Sequence, residues 1–217
     1  MGHFDTLDAM HAVPRQLDHL VLAGPDLGEA VGRVEDLLGV KMLAGGRHPD
    51  WGTSNAILPL GPSSYLEVIG PDPEGDAPPL FGIAQLGRPR LVTWAAKGQG
   101  LTRLVEEARG RGVELGTVRR GTRARPDGTK LEWELTDPFA ARGGGVLPFF
   151  IDWAAGGHPA QGAPASVSLI GLRGRHPEAA IIGAQLRGLG IEMEVEARPE
   201  PGLVAVFRTA TGEVEIS

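Results

Sequence analysis

Three times along this chain an apolar strand pattern gives way to a helical period and then to three short strand patterns. The leading strands are "LDHLVLAG", "RLVTWAAKG" and "SVSLIGLRG". In the helix after the first, Leu27, Ala30, Val31, Val34, Leu37 and Leu38 form one apolar face. Asp26 and Glu29 stand as N-cap and N3 at its start. The second helix carries Leu101, Leu104, Val105 and Ala108. The third is expected to begin at His176-Pro177 and to continue with Ala179, Ile182, Leu186 and Leu189. Each helix runs into a glycine, in "GVKM" at Gly39, "GVEL" at Gly112 and "GIEM" at Gly190. That glycine suits the left-handed residue that ends a helix.

The strands expected after the helices are Val40–Ala44, Asn55–Leu60 and Ser64–Ile69 in the first unit. They are Val113–Arg119, Lys130–Leu135 and Val146–Asp152 in the second, and Ile191–Ala197, Leu203–Thr209 and Glu213–Ile216 in the third. The predicted fold class is therefore α+β, built from repeated βαβββ modules. Residues 1–15 read as a tail, 16–72 and 89–153 as two units of one domain spanning 16–153, and 165–217 as a third unit packing with them. One unit covers only one face of its sheet with its helix. Two units side by side curl their mixed sheets around a concave cavity. The odd third unit packs beside them or pairs across a homodimer.

Composition narrows the function classes. The chain has 217 residues, 41% hydrophobic and 22% charged, which is globular rather than disordered. The net charge of −6, with no long basic run, argues against a nucleic-acid partner. No apolar run reaches the length of a membrane-spanning helix, and "MGHFDTLDAMHAVP" is not a signal peptide. The absence of cysteine removes thiolate chemistry and disulfides, and fits a reducing cytoplasm. No serine elbow, phosphate loop or dinucleotide fingerprint is present.

Four segments between Leu17 and Trp153 carry a family resemblance: "LDHLVLAGPDL", "GGRHPDWGTSNAILPLG", "YLEVIGPDP" and "LPFFIDW". In this order they resemble the glyoxalase-like domain branch of the vicinal oxygen chelate superfamily, which includes glyoxalase I, bleomycin-resistance proteins and extradiol dioxygenases. In that superfamily the first and fourth strands of two paired units supply metal ligands, usually histidine, glutamate or glutamine. The metal chelates two neighbouring oxygens of the substrate.

Strand alternation places His19 with Leu17 and Val21 on one face, and Asp18 with Leu20 and Leu22 on the other. Glu67 shares a face with Tyr65 and Ile69, opposite Leu66 and Val68. The resemblance then implies His19 and Glu67 as ligands of zinc, nickel, iron or manganese. Without a metal they read as an ordinary polar pair. Aligned strands place Thr93 and Phe150 of the second unit, and Ser168 and Glu215 of the third, at the matching positions. Pairing of the first and third units gives His19, Glu67 and Glu215. Pairing of the first and second leaves two ligands.

Within "GGRHPDWGTSN", Arg47, His48 and Asn55 offer a cation, an imidazole and an amide to a substrate oxygen, or else tie down their own loop. Trp94 and Phe150 lie on strands that line the cavity if they face it, and otherwise belong to the core. The basic stretch "RRGTRARPDG" reads as a solvated hairpin tip or an anion attractor. Two principal expectations follow. One is a metal-dependent lyase or isomerase acting on a small molecule with vicinal oxygens, with Glu67 and His48 as catalytic groups. The other is a metal-free protein that binds or sequesters a small molecule. A third is an interaction module whose cavity is filled by its own side chains.

Overall fold

The computed structural model of the chain describes residues 12–75, 80–124, 130–140, 142–153 and 157–217. Most of the expected tail and the tip of the basic hairpin lie outside these residues. In chain order the first unit is β1 (Leu17–Ala23), α1 (Leu27–Leu38), β2 (Leu43–His48), β3 (Thr53–Gly61) and β4 (Ser64–Pro71). The second is β5 (Arg90–Lys97), α2 (Leu101–Gly110), β6 (Arg119–Ala124), β7 (Lys130–Leu135) and β8 (Phe149–Trp153). The third is β9 (Ser168–His176), α3 (Ala179–Gly188), β10 (Val195–Ala197), β11 (Gly202–Thr209) and β12 (Gly212–Ile216).

The helix signals act as the sequence expects. Asp26 caps α1 by accepting from the Glu29 N–H at 2.7 Å. Gly39, Gly112 and Gly190 all take positive φ just past their helices, at 67°, 77° and 73°. The third helix differs at its start. Glu178 is its N-cap and Pro177 lies outside it, because β9 runs on through His176.

The strand that follows each helix begins later than the hydrophobicity predicts. Val113, Leu115 and Ile191 are buried, yet they precede β6 and β10. They cross the core without joining a ladder. Their hydrophobicity reports burial rather than strand pairing.

The first two units form one eight-stranded mixed sheet in the order β2-β3-β4-β1-β5-β8-β7-β6. The two halves have the same internal order and meet where β1 pairs antiparallel with β5. This is the curled, mixed α+β sheet that the repeat predicts. The third unit repeats the element sequence but not the strand order, which is β10-β9-β11-β12. Here the strand after the helix pairs parallel with the first strand.

The third unit packs on the helix-bearing face of the large sheet. Leu20 and Leu22 of β1, Trp94 of β5, Ala30 and Val34 of α1, Leu101 and Val105 of α2, and Leu172, Leu203 and Phe207 of the third unit share one core. The opposite, concave face has its own cluster, including Val21, Ile69, Leu135, Phe149 and Ile151. The extra unit therefore covers the helix face and leaves the concave face to the first two. No helix among the described residues is long and apolar enough to cross a membrane.

Candidate functional site

The concave face holds a cavity lined from both halves of the large sheet. From the first half come His19, Val21, His48, Thr53, Asn55, Tyr65 and Glu67; from the second come Leu131, Trp133, Leu135, Phe149, Ile151 and Trp153. Leu80 and Phe81, in the connection between the halves, close one side. Phe81 adopts φ 59°, left-handed backbone that a residue with a β-carbon takes only at a cost.

A bulge in β1 explains why a hydrophobic strand carries Asp18-His19. Leu17 pairs with Ala96 and His19 with Ala95, so Asp18 is an extra residue opposite no partner. The bulge breaks the alternation that would place Asp18 beside Leu20. Instead its carboxylate, fully buried, gathers three rings. His19 Nδ1 lies 2.8 Å from Oδ1 and donates to it. Trp153 Nε1 donates to both oxygens at 3.2 Å. His158 brings Nε2 to 3.4 Å of Oδ1. Burial pushes the Asp18 carboxyl up, but its contacts with His158 and His19 outweigh this and hold it well below the usual carboxylate range.

His158 comes from the link between the second and third units. Its Nδ1 accepts from the Ala160 N–H at 3.2 Å, which leaves Nε2 as the N–H nitrogen, 3.4 Å from Asp18 Oδ1. Gly157 and Gly162 flank this strap with φ of 84° and 81°. Pro159 lines the cavity, and buried Ala160 packs with Ile57 and Tyr65. The sequence expectations assign no site role to Asp18, Trp153 or His158. A bulge leaves no periodic signature, and the strap meets β1 only through the tertiary fold.

Glu67 faces the cavity from β4, where it pairs with Val21 of β1 and Ile57 of β3. Its Oε2 lies 3.7 Å from His19 Nε2. Its Oε1 accepts from the Asn55 amide. That amide is oriented by the Gly46 N–H, which donates to Asn55 Oδ1 at 2.6 Å. A β-carbon at Gly45 would collide with the same Asn55 oxygen, so the "GG" of β2 is what lets the strand clasp Asn55. His48 lines the cavity, with Nδ1 3.2 Å from Thr53 Oγ1.

Four of the expected site residues lie elsewhere. Arg47 pairs with Ser54, whereas the cavity-lining Thr53 pairs with His48, so Arg47 faces away. Its guanidinium is held by Asp72 at 2.9 Å and Glu74 at 2.6 Å. The Asp72 hydrogen bond raises the Arg47 pKa; burial pushes Asp72 up, but Arg47 outweighs it and lowers Asp72. Trp94 is fully buried in the helix-side core and donates from Nε1 to the Val146 carbonyl at 2.9 Å. Phe150 belongs to that core as well. The cavity face of β8 is displaced by one residue, to Phe149 and Ile151, because Ala95 pairs with Phe149. Glu215 lies in the other sheet, 2.6 Å from Arg173 Nη2, and does not meet His19 or Glu67. The reordered third sheet takes β12 away from the position that spacing alone suggests.

These placements test the implied metal. His19, backed by a carboxylate and turned toward Glu67, has the form of a ligand pair. Among the described residues, the second half adds no imidazole or carboxylate to the cavity wall. Nor do any three histidine, aspartate or glutamate side chains among them form a group that could hold a metal ion. Two donors do not make the four-ligand set of the superfamily.

Among solved structures, a hypothetical protein from Staphylococcus aureus superposes with a TM-score of 0.61 at 13% identity, covering 92% of this chain and 83% of that one. Methylmalonyl-CoA epimerase from Mycobacterium tuberculosis matches at 21% identity, 68% and 93% coverage and a TM-score of 0.39. A variant of the Streptomyces coelicolor methylmalonyl-CoA epimerase, in complex with 2-nitronate-propionyl-CoA, matches at 19% identity, 68% and 100% coverage and a TM-score of 0.43. No curated protein matches the chain. The family model of the glyoxalase-like domain matches residues 17–190, most of the chain, and the protein belongs to that family.

Proposed function

We propose that this protein binds a small, largely apolar molecule in the concave cavity without a resident metal. The observation that carries this reading is the division of the cavity wall. Among the described residues, the polar and ionisable lining side chains His19, His48, Thr53, Asn55, Tyr65 and Glu67 all come from the first half. The second half contributes apolar and aromatic surface, with Trp133 and Trp153 at a centroid distance of 5.4 Å. Such a wall orients a ligand at one end and desolvates it along the rest. The family's paired-ligand chemistry needs donors from both halves.

Turnover is a second reading, favoured by one feature. Glu67 is the one carboxylate lining the cavity among the described residues, and Asn55 fixes its orientation. In a lyase or isomerase reaction Glu67 would take a proton from a carbon acid and give the same proton back to the substrate. His48, on the same wall, would donate a hydrogen bond to the developing oxyanion.

The test of the binding reading uses N-phenyl-1-naphthylamine, a neutral probe that fluoresces in apolar surroundings. The wild-type protein should enhance its emission saturably, and Ile57→Trp, which fills the cavity, should abolish the effect. No enhancement, or enhancement indifferent to Ile57→Trp, would contradict it. A lyase or isomerase would instead declare itself by turnover that Glu67→Gln removes.

A further inference from the structure

The polar pole of the cavity is short of donors. Among the described residues Glu67 accepts one hydrogen bond, at Oε1 from Asn55. Its other oxygen faces His19 Nε2 across 3.7 Å, beyond hydrogen-bond reach. His19 commits Nδ1–H to Asp18 and turns Nε2 toward Glu67. Glu67 Oε2 is thus a carboxylate oxygen at the cavity wall with no hydrogen bond from a described residue, and buried Asp18 adds a second carboxylate behind His19. A ligand that brings its own anion to this pole meets repulsion. A ligand that brings N–H donors and positive charge satisfies the open carboxylate oxygen.

The walls favour the same charge. Trp51 and Tyr65 of the first half and Trp133 and Trp153 of the second line the same cavity, and the face of an aromatic ring attracts a cation. No lysine or arginine is among the described lining residues. A cation does stand beside the cavity: the Arg142 guanidinium lies over Phe81 at 5.9 Å and over Phe149 at 5.7 Å. Burial pushes its pKa down to about 10, against the attraction of Asp137, so it remains charged at neutral pH.

We propose, resting on the ligand-binding reading above, that the ligand is a protonated organic amine with an aromatic body. Its ammonium group donates to Glu67 Oε2, and its ring lies against the tryptophans of the second half.

Three probes with one ring and three charges test this: benzylammonium, benzyl alcohol and benzoate. Each is titrated into the chelator-dialysed protein at pH 7.5, and the tryptophan indole N–H resonances are followed by NMR. Benzylammonium should bind about tenfold more tightly than benzyl alcohol, and benzoate more weakly than either. In Glu67→Gln the ratio of ammonium to alcohol affinity should collapse toward one. Glu67→Asp, which keeps the charge, should retain a preference for the amine and guards against a folding artefact in the first variant. Equal affinities in the wild type, or a preference for benzoate, would overturn the amine assignment while leaving the binding cavity intact. Indole resonances that respond to none of the three would overturn both readings. Zinc chloride serves as the competitor: a stoichiometric zinc site that benzylammonium cannot enter would replace the amine with a metal centre.

Discussion

The two halves of the large sheet share one strand order and divide the chemistry unequally. The first half sets a histidine, a glutamate and an asparagine on its concave strands; the second sets tryptophan, phenylalanine, leucine and isoleucine on the equivalent surface. The shared backbone therefore does not dictate shared function. A repeat whose structural demands lie on the helix-facing side is free to diverge on the cavity side. Leu20 and Trp94 face each other across β1 and β5 in the core, whereas on the cavity face the ionisable side chains come from the first half alone among the described residues.

Substitutions on the two faces should separate stability from binding. The largest effect is expected for Trp94→Ala, which empties a fully buried site in the helix-side core. It should cost about 4 kcal/mol of unfolding free energy in urea denaturation. Asp18→Ala should cost about 3 kcal/mol, because it leaves His19, Trp153 and His158 buried around a missing carboxylate. Trp133→Ala, on the cavity side of the second half, should weaken N-phenyl-1-naphthylamine binding by about tenfold with a smaller loss of stability than Trp94→Ala. A Trp133→Ala protein that binds as tightly as wild type would break the proposed division of labour.

Acid titration adds a finer test. The folded Asp18 pKa lies below its ordinary value near ~4. Its contribution to stability is therefore complete above that value and is lost as pH falls through the lower, folded one. Asp18→Asn should be less stable than wild type at neutral pH and show a shallower decline below about pH 4. An unchanged acid limb would mean that the carboxylate is not held by its imidazole partners. The smallest effect is expected for Glu215→Gln. Its ion pair with Arg173 is half exposed in the other sheet, so probe binding should stay within about twofold of wild type.

Periodicity makes the repeat legible, since an apolar face every helical turn and a closing glycine mark each unit. It also brings His19, His48, Asn55 and Glu67 to one cavity; Asn55 and Glu67 sit where β3 and β4 alternate regularly, and His19 keeps its face with Val21 just past the bulge in β1. It fails wherever the ladder is irregular. Alternation assigns Asp18 to the wrong face because the bulge in β1 adds a residue that it cannot register. A single step of register in β8 displaces Phe150 from the cavity. Glu215 has the right spacing but the wrong sheet, since spacing fixes element order and not strand order. The strap residue His158 acquires its role only through the contact with Asp18, far away in sequence.

The most direct test of the account is the metal content of the protein, purified without chelator or metal-affinity tag, measured by elemental mass spectrometry beside His19→Ala. A two-donor pole should hold well under one equivalent of zinc, nickel, iron or manganese in both proteins. Near one equivalent in the wild type, lost in His19→Ala, would contradict the metal-free cavity and make His19 and Glu67 the core of a metal centre.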